Sequence, residues 1–151
     1  MLSHFDFLPS SPPDVHEWEY RRKKYDAIWM NCIHENGSTS NQHTDGLKWE
    51  LERCFCSGSW IAVVILSAAI VEVHLSHIGK WKKSDDLLNE LNIKDEWSWL
   101  KGRRNYLVHG EQKTNSRLPT SEYRREREKL QRDGERSIMV ALKVALNNPP
   151  L

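Results

Sequence analysis

The longest apolar run of the chain, residues 60–71, reads WIAVVILSAAIV and ends at Glu72. Apolar side chains point in every direction around a helix of this sequence, which is typical of a central helix surrounded by others. The run is too short for a membrane span, which needs roughly 20 residues, so we predict a buried core helix. The apolar stripe continues on both sides of it, and we therefore predict one long helix from about Leu47 to His77.

Capping residues and apolar periodicity predict the remaining elements. Asp14, with Glu17 three residues on, forms a capping-box pattern that begins a first helix, and the polar stretch 35–46 ends it. No segment alternates with period two, so no strand is expected. The prediction is an all-α bundle of four to five helices, with residues 1–13 as an irregular lead-in and 14–148 as one domain. The later helices are predicted at 84–91, at 95–108 with Gly110 behind it, and from about 120 to 146 with Gly134 as a candidate break.

The bulk composition limits the classes of function. Charged residues make up 28% and hydrophobic residues 38% of the 151 positions, which is typical of a folded, hydrophilic domain. The net charge of +1 gives no global attraction to nucleic acid or to an anionic membrane, so such a partner would need a local patch. Three cysteines without framework spacing and a start without a secretory pattern predict a cytoplasmic protein.

The strongest candidate for chemistry is the stretch Arg104-Asn105-Tyr106-Leu107-Val108-His109. At about 100° per residue, Arg104 falls in the middle of the apolar sector of its helix, between Leu100 and Leu107. An arginine directed inward must meet a carboxylate, a carbonyl or an anionic ligand. Glu72, on the stripe of the central helix, lies either at the edge of the core or in a pair, and it is the predicted partner.

Asn105 and His109 are four residues apart and share the flank of the same helix. The helix dipole favours a protonated His109, while nearby Lys101 and Arg103 oppose it. These opposed effects leave the imidazole able to give or take a proton near neutral pH. A phosphate-binding arginine beside such a histidine suits phosphodiester cleavage, and no metal is needed when the nucleophile is the 2′-hydroxyl of RNA.

This stretch resembles the R-x4-6-H signature of HEPN domains, in which an arginine followed by an asparagine is common. Here the motif lies on the penultimate major helix, after a long apolar helix that carries an acidic residue, and a glycine follows its histidine. The resemblance covers roughly residues 47–146. It implies a bundle that dimerises so that two motifs face one cleft.

Many HEPN proteins are metal-independent endoribonucleases of toxin–antitoxin, phage-defence or RNA-processing systems. By resemblance, Arg104 binds the scissile phosphate and His109 is the general base or acid. Asn105 orients His109 or the phosphate, and Glu72 orients Arg104. The implied partners are RNA, a second copy and an antitoxin or other regulator, with no cofactor and no membrane. In one subgroup a modified tyrosine stands two residues after the histidine; here that residue is Glu111, which does not support silencing by that route.

A different class of function remains open. Seven tryptophans and a near-neutral charge also fit a non-catalytic helical module that binds a partner protein or a nucleotide. In that case Arg104 pairs with Glu72 to join two helices, and His109 only ends one.

Three further sets of residues have competing interpretations. Trp97 is predicted in the core, while Trp99 and Tyr106 form either a second packing face or a stacking platform for a base. The tract 123–129 alternates in sign and is typical of a solvated face; if it guides RNA, Lys101 and Arg103 add contacts to the phosphate backbone. His74 and His77 are expected at a solvated helix end.

A zinc site is disfavoured by spacing. The C-x-H and C-x-C patterns do not match a zinc knuckle, and residues two apart on a helix point away from each other. The residues concerned are Cys32, His34, His43, Cys54 and Cys56.

Overall fold

The computed structural model describes residues 12–36, 42–80, 82–110 and 126–147. Within these ranges the protein is built of helices and contains no strand, so the predicted all-α class is confirmed. The helices are α1 Val15–Asn36, α2 Gln42–Ser57, α3 Trp60–Ile78, α4 Ser84–Glu90, α5 Lys94–His109 and α6 Arg127–Ala145. The predicted start of the last helix, near residue 120, lies outside the described residues.

The first helix begins as its capping residues predict. The backbone N–H of Glu17 donates to the Asp14 carboxylate at 2.8 Å, and the N–H of Asp14 donates to the Glu17 carboxylate at 3.2 Å. This reciprocal pair is a capping box. Tyr25 and Cys32 of α1 are buried, whereas Val15 is exposed, so the second half of α1 packs into the core.

The prediction of one helix from Leu47 to His77 is wrong, because the chain turns at Gly58. Gly58 has a φ of 74°, which is a left-handed conformation that favours glycine. Its N–H donates to the Phe55 carbonyl at 3.1 Å, and the Ser59 N–H donates to the Cys54 carbonyl at 2.9 Å. These two hydrogen bonds form a Schellman motif, which ends α2 and lets α3 fold back beside it.

Helix α3 is the centre of the bundle and packs against α2, α4, α5 and α6. It is longer than the apolar run suggested, and its 19 residues are long and apolar enough to cross a membrane by length and composition alone. Half of that span is buried inside the protein, which is the arrangement of a core helix. The core around it includes Phe55, Trp60, Val64, Leu100 and Ile138.

Gly134 does not split the last helix, since α6 runs through it without interruption. A Cβ placed on Gly134 would lie 3.3 Å from both Trp60 Cε3 and Val63 Cγ1. The glycine therefore lets the backbone of α6 approach α3 more closely than any other residue would.

The expectation that His74 lies at a solvated helix end is wrong. His74 is fully buried, and its Nε2 lies 2.9 Å from the carbonyl oxygen of Asn147. The end of α6 covers this part of α3, which no local pattern around residue 74 could show. Burial holds the pKa of His74 below its usual value, so the neutral ring donates from Nε2 to that carbonyl.

Candidate active site on helix α5

The predicted ion pair between the central helix and the motif helix is present. Arg104 Nη2 lies 2.7 Å from Glu72 Oε1, and Arg104 Nη1 makes a longer contact of 3.5 Å with Oε2. The Arg104 side chain is 26% exposed and that of Glu72 44% exposed, so the pair lies at the edge of the core. A carboxylate that contacts both terminal nitrogens fixes the plane of the guanidinium at the protein surface.

The third nitrogen of Arg104 faces inward. Its Nε is buried and has no hydrogen-bond partner in the described part of the chain. The guanidinium is thus anchored from one side by Glu72, and the remaining hydrogens of its terminal nitrogens are the donors left for an anion.

Asn105 and His109 both lie on the exposed side of α5. No hydrogen bond joins either side chain to another described residue. The helix ends at His109 because Gly110 has a φ of 71°, and the Gly110 N–H donates to the Tyr106 carbonyl at 2.8 Å. The imidazole therefore lies at the end of α5, where the described residues leave it exposed to a ligand. The orienting role of Asn105 stays a prediction.

Arg103 is directed away from solvent, and this changes the expectation of a phosphate contact. Its Nε lies 2.8 Å from the Asp133 carboxylate of α6, and the two side chains are only 12% and 15% exposed. Its guanidinium carbon lies 5.2 Å from the centroid of the Tyr106 ring. A phosphate would have to displace Asp133 from a nearly buried pair, so Lys101, which is exposed, is the better candidate for a backbone contact.

A second ion pair between α5 and α6 was not foreseen from the sequence. Arg136 donates to the Glu96 carboxylate through Nε at 2.7 Å and through Nη2 at 2.8 Å. These hydrogen bonds hold the pKa of Glu96 below its usual range and raise that of Arg136. The guanidinium carbon of Arg136 also lies 3.9 Å from the centroid of the Trp99 ring.

The face of α5 that contacts α6 has a spacing that could have been recognised. Glu96, Trp99, Arg103 and Tyr106 stand at i, i+3, i+7 and i+10, which places them on one side of a helix. Trp99 also packs against the core. This face is thus the second packing face considered above, while Trp97 is buried as predicted.

The cysteines are free thiols. Cys32 and Cys56 are buried. Burial raises the pKa of Cys56 to about 11, so Cys56 is not a reactive thiolate. Among the residues that the structure describes, no three His, Cys, Asp or Glu side chains are grouped to hold a metal ion. The side chains of His34 and His43, Glu111 and residues 111–125 as a whole lie outside those residues.

Comparison with known proteins assigns no family. No family model matches the chain, and neither a curated protein nor a solved structure matches it. The resemblance to HEPN domains therefore depends on Arg104, Asn105 and His109 and on their helical context.

Proposed function

We propose that this protein is a HEPN-like, metal-independent endoribonuclease that acts as a homodimer. The observation that carries the proposal is the Arg104 guanidinium, fixed by Glu72 at the surface of the helix whose exposed end is His109. A fixed cation for phosphate and an accessible imidazole for proton transfer are the two groups that cleavage of RNA requires.

In the proposed reaction the 2′-oxygen of the substrate forms a bond to phosphorus, and the bond from phosphorus to the 5′-oxygen breaks. One imidazole takes the proton of the 2′-hydroxyl, and an imidazole in its protonated form gives a proton to the leaving 5′-oxygen. Two copies of His109 supply both roles. Arg104 stabilises the charge that develops on the phosphate oxygens, and the products are a 2′,3′-cyclic phosphate and a 5′-hydroxyl.

A face of α3 that the described residues leave uncovered supports the proposed dimer. A sector of about 100° along this helix holds residues that are exposed or only half-buried. They are Ala62, Ile65, Ala69, Glu72, Val73 and Ser76. Glu72 lies at the edge of this apolar face, so a second copy packed on it would bring its own Arg104 near the first. The proposed setting is cytoplasmic, as a toxin, a phage-defence effector or an RNA-processing factor, with an antitoxin or other regulator as a further partner.

The proposal is tested by incubating purified protein with mixed RNA in excess EDTA. We expect cleavage that leaves 2′,3′-cyclic phosphate ends, and loss of that cleavage in His109→Ala. His16→Ala is the matched control, because His16 is an exposed histidine on α1, away from the motif. A His109→Ala protein that is folded and cleaves RNA at the wild-type rate contradicts the proposal, as does a strictly monomeric protein in sedimentation equilibrium.

A non-catalytic module that binds a partner is the second candidate, and one observation favours it. Trp49 of α2 is 68% exposed, and a large aromatic side chain in water is more typical of an interface than of a free surface. On this reading Trp49→Ala abolishes binding of the partner, and no RNA cleavage is found in the wild-type protein.

A further inference from the structure

The half of α5 that carries the candidate site has little core packing, which comes from the half-buried Leu107. The buried residues of this helix are Trp97 and Leu100, both in its first half. From Lys101 to His109 every residue is exposed or only half-buried. Besides Leu107, ion pairs to two other helices hold this segment, one from Arg104 to α3 and one from Arg103 to α6.

The α6 end of this attachment is rigid. Asp133 accepts a hydrogen bond at its backbone carbonyl from the Ser137 hydroxyl at 2.6 Å, and the next residue, Gly134, is pressed against Trp60 and Val63. The Asp133 carboxylate therefore projects from a closely packed part of the helix. The Asp133 carboxylate contacts Arg103, and both side chains are more than four-fifths buried. This contact therefore restrains the position of α5.

We propose that Asp133, acting through Arg103, is a positioning residue for the Arg104–His109 site. This inference rests on the ribonuclease proposed above. Without the Asp133 carboxylate, the segment after Leu100 keeps the half-exposed contact with Glu72 and the packing of the half-buried Leu107, and it can tilt away from α6. A displacement of about 1 Å is enough to lower the rate of a positioned reaction by up to 100-fold, although substrate still binds.

The chain contains its own matched control. Glu96 and Arg136 join the same two helices with an equally short pair, but Glu96 lies on the first turn of α5 and both side chains are nearly half exposed. Each variant removes one carboxylate charge between α5 and α6. Asp133→Asn does so beside the half of α5 that carries the candidate site, and Glu96→Gln does so at the first turn of the same helix.

Two measurements on the full chain test the inference. Hydrogen–deuterium exchange of amides 105–110 should accelerate at least tenfold in Asp133→Asn and remain unchanged in Glu96→Gln. In the RNA cleavage assay kcat should fall 10- to 100-fold in Asp133→Asn with KM within twofold of wild type. The charge-swapped pair Arg103→Asp with Asp133→Arg should recover part of both losses. If Asp133→Asn does not fold, Asp133→Ala at reduced temperature replaces it.

The outcomes separate this inference from the proposed function. Unchanged exchange in Asp133→Asn, or equal acceleration in Glu96→Gln, overturns the positioning role. So does accelerated exchange with an unchanged kcat. A wild-type protein that cleaves no RNA overturns the proposed function instead, and the exchange data then decide only whether Asp133 holds the helix.

Discussion

We expect Glu72→Gln and Arg104→Gln, combined in a double-mutant cycle, to show a coupling free energy below about 1 kcal/mol. The magnitude follows from exposure. Because the two side chains are 26% and 44% exposed, water and salt screen their attraction. Glutamine at position 72 keeps a polar oxygen beside the guanidinium, so no nitrogen is newly stranded. The Arg103–Asp133 pair is far less exposed, and its cycle should give about 1.5–3 kcal/mol.

The assay is urea denaturation of the wild type, both single variants and the double variant, with linear extrapolation to water. The cycle is repeated in 0.5 M NaCl, where the coupling at Glu72 should shrink because the pair is partly solvated. In the RNA cleavage assay Glu72→Gln should lower kcat by about tenfold, since the guanidinium loses the carboxylate that fixes its plane. A coupling free energy of 2 kcal/mol or more between Glu72 and Arg104, with no cleavage by any of the proteins, would refute this reasoning. It would favour an ion pair whose role is to hold the two helices together.

Two further predictions concern packing and pH. Gly134→Ala should lower the free energy of unfolding by up to about 2 kcal/mol, because overpacking against Trp60 costs more than the helix propensity that alanine adds. Gly102→Ala should raise the free energy of unfolding by about 1 kcal/mol, because a Cβ at this position meets nothing within 4 Å. Thermal unfolding of the Gly134→Ala and Gly102→Ala variants checks the two predictions. His74 has a pKa lowered by burial, so its stabilisation is complete above pH 6.5 and is lost as the pH falls below that value, by at most about 1.4 kcal/mol per unit. His74→Gln should remove this part of the pH dependence in denaturation curves at pH 5.5–7.5, and an identical slope in variant and wild type would contradict it.

Local signals predicted the features of this fold that depend on a few neighbouring residues. The capping box at Asp14 and the bounds of α5 follow from side chains within one turn of each helix end. The pair between Glu72 and Arg104 was predictable for another reason, since a charge on the apolar stripe of each of two helices leaves few alternatives.

The features that were missed depend on contacts between distant parts of the chain. The partner of Arg103 is thirty residues away on a helix whose direction the sequence does not specify. His74 contacts Asn147, which lies seventy-three residues away, just after α6. The roles of two glycines could not be told apart from the sequence for the same reason. Gly58 ends a helix through its φ, Gly134 permits a close approach inside a helix, and only the folded neighbourhood separates the two roles.

The adjacency of Arg103 and Arg104 fixes the rotation of α5 about its own axis. Neighbouring side chains on a helix diverge by about 100°, and here the two guanidinium groups reach carboxylates on different helices. If one residue were inserted after Leu100, the segment behind it would turn by that angle. Arg103 would then stand opposite Glu72 and Gly102 opposite Asp133. Glu72 would still have an arginine beside it, but His109 would face a different direction. A change in the length of this stretch would therefore displace the site even though every residue of the site is retained.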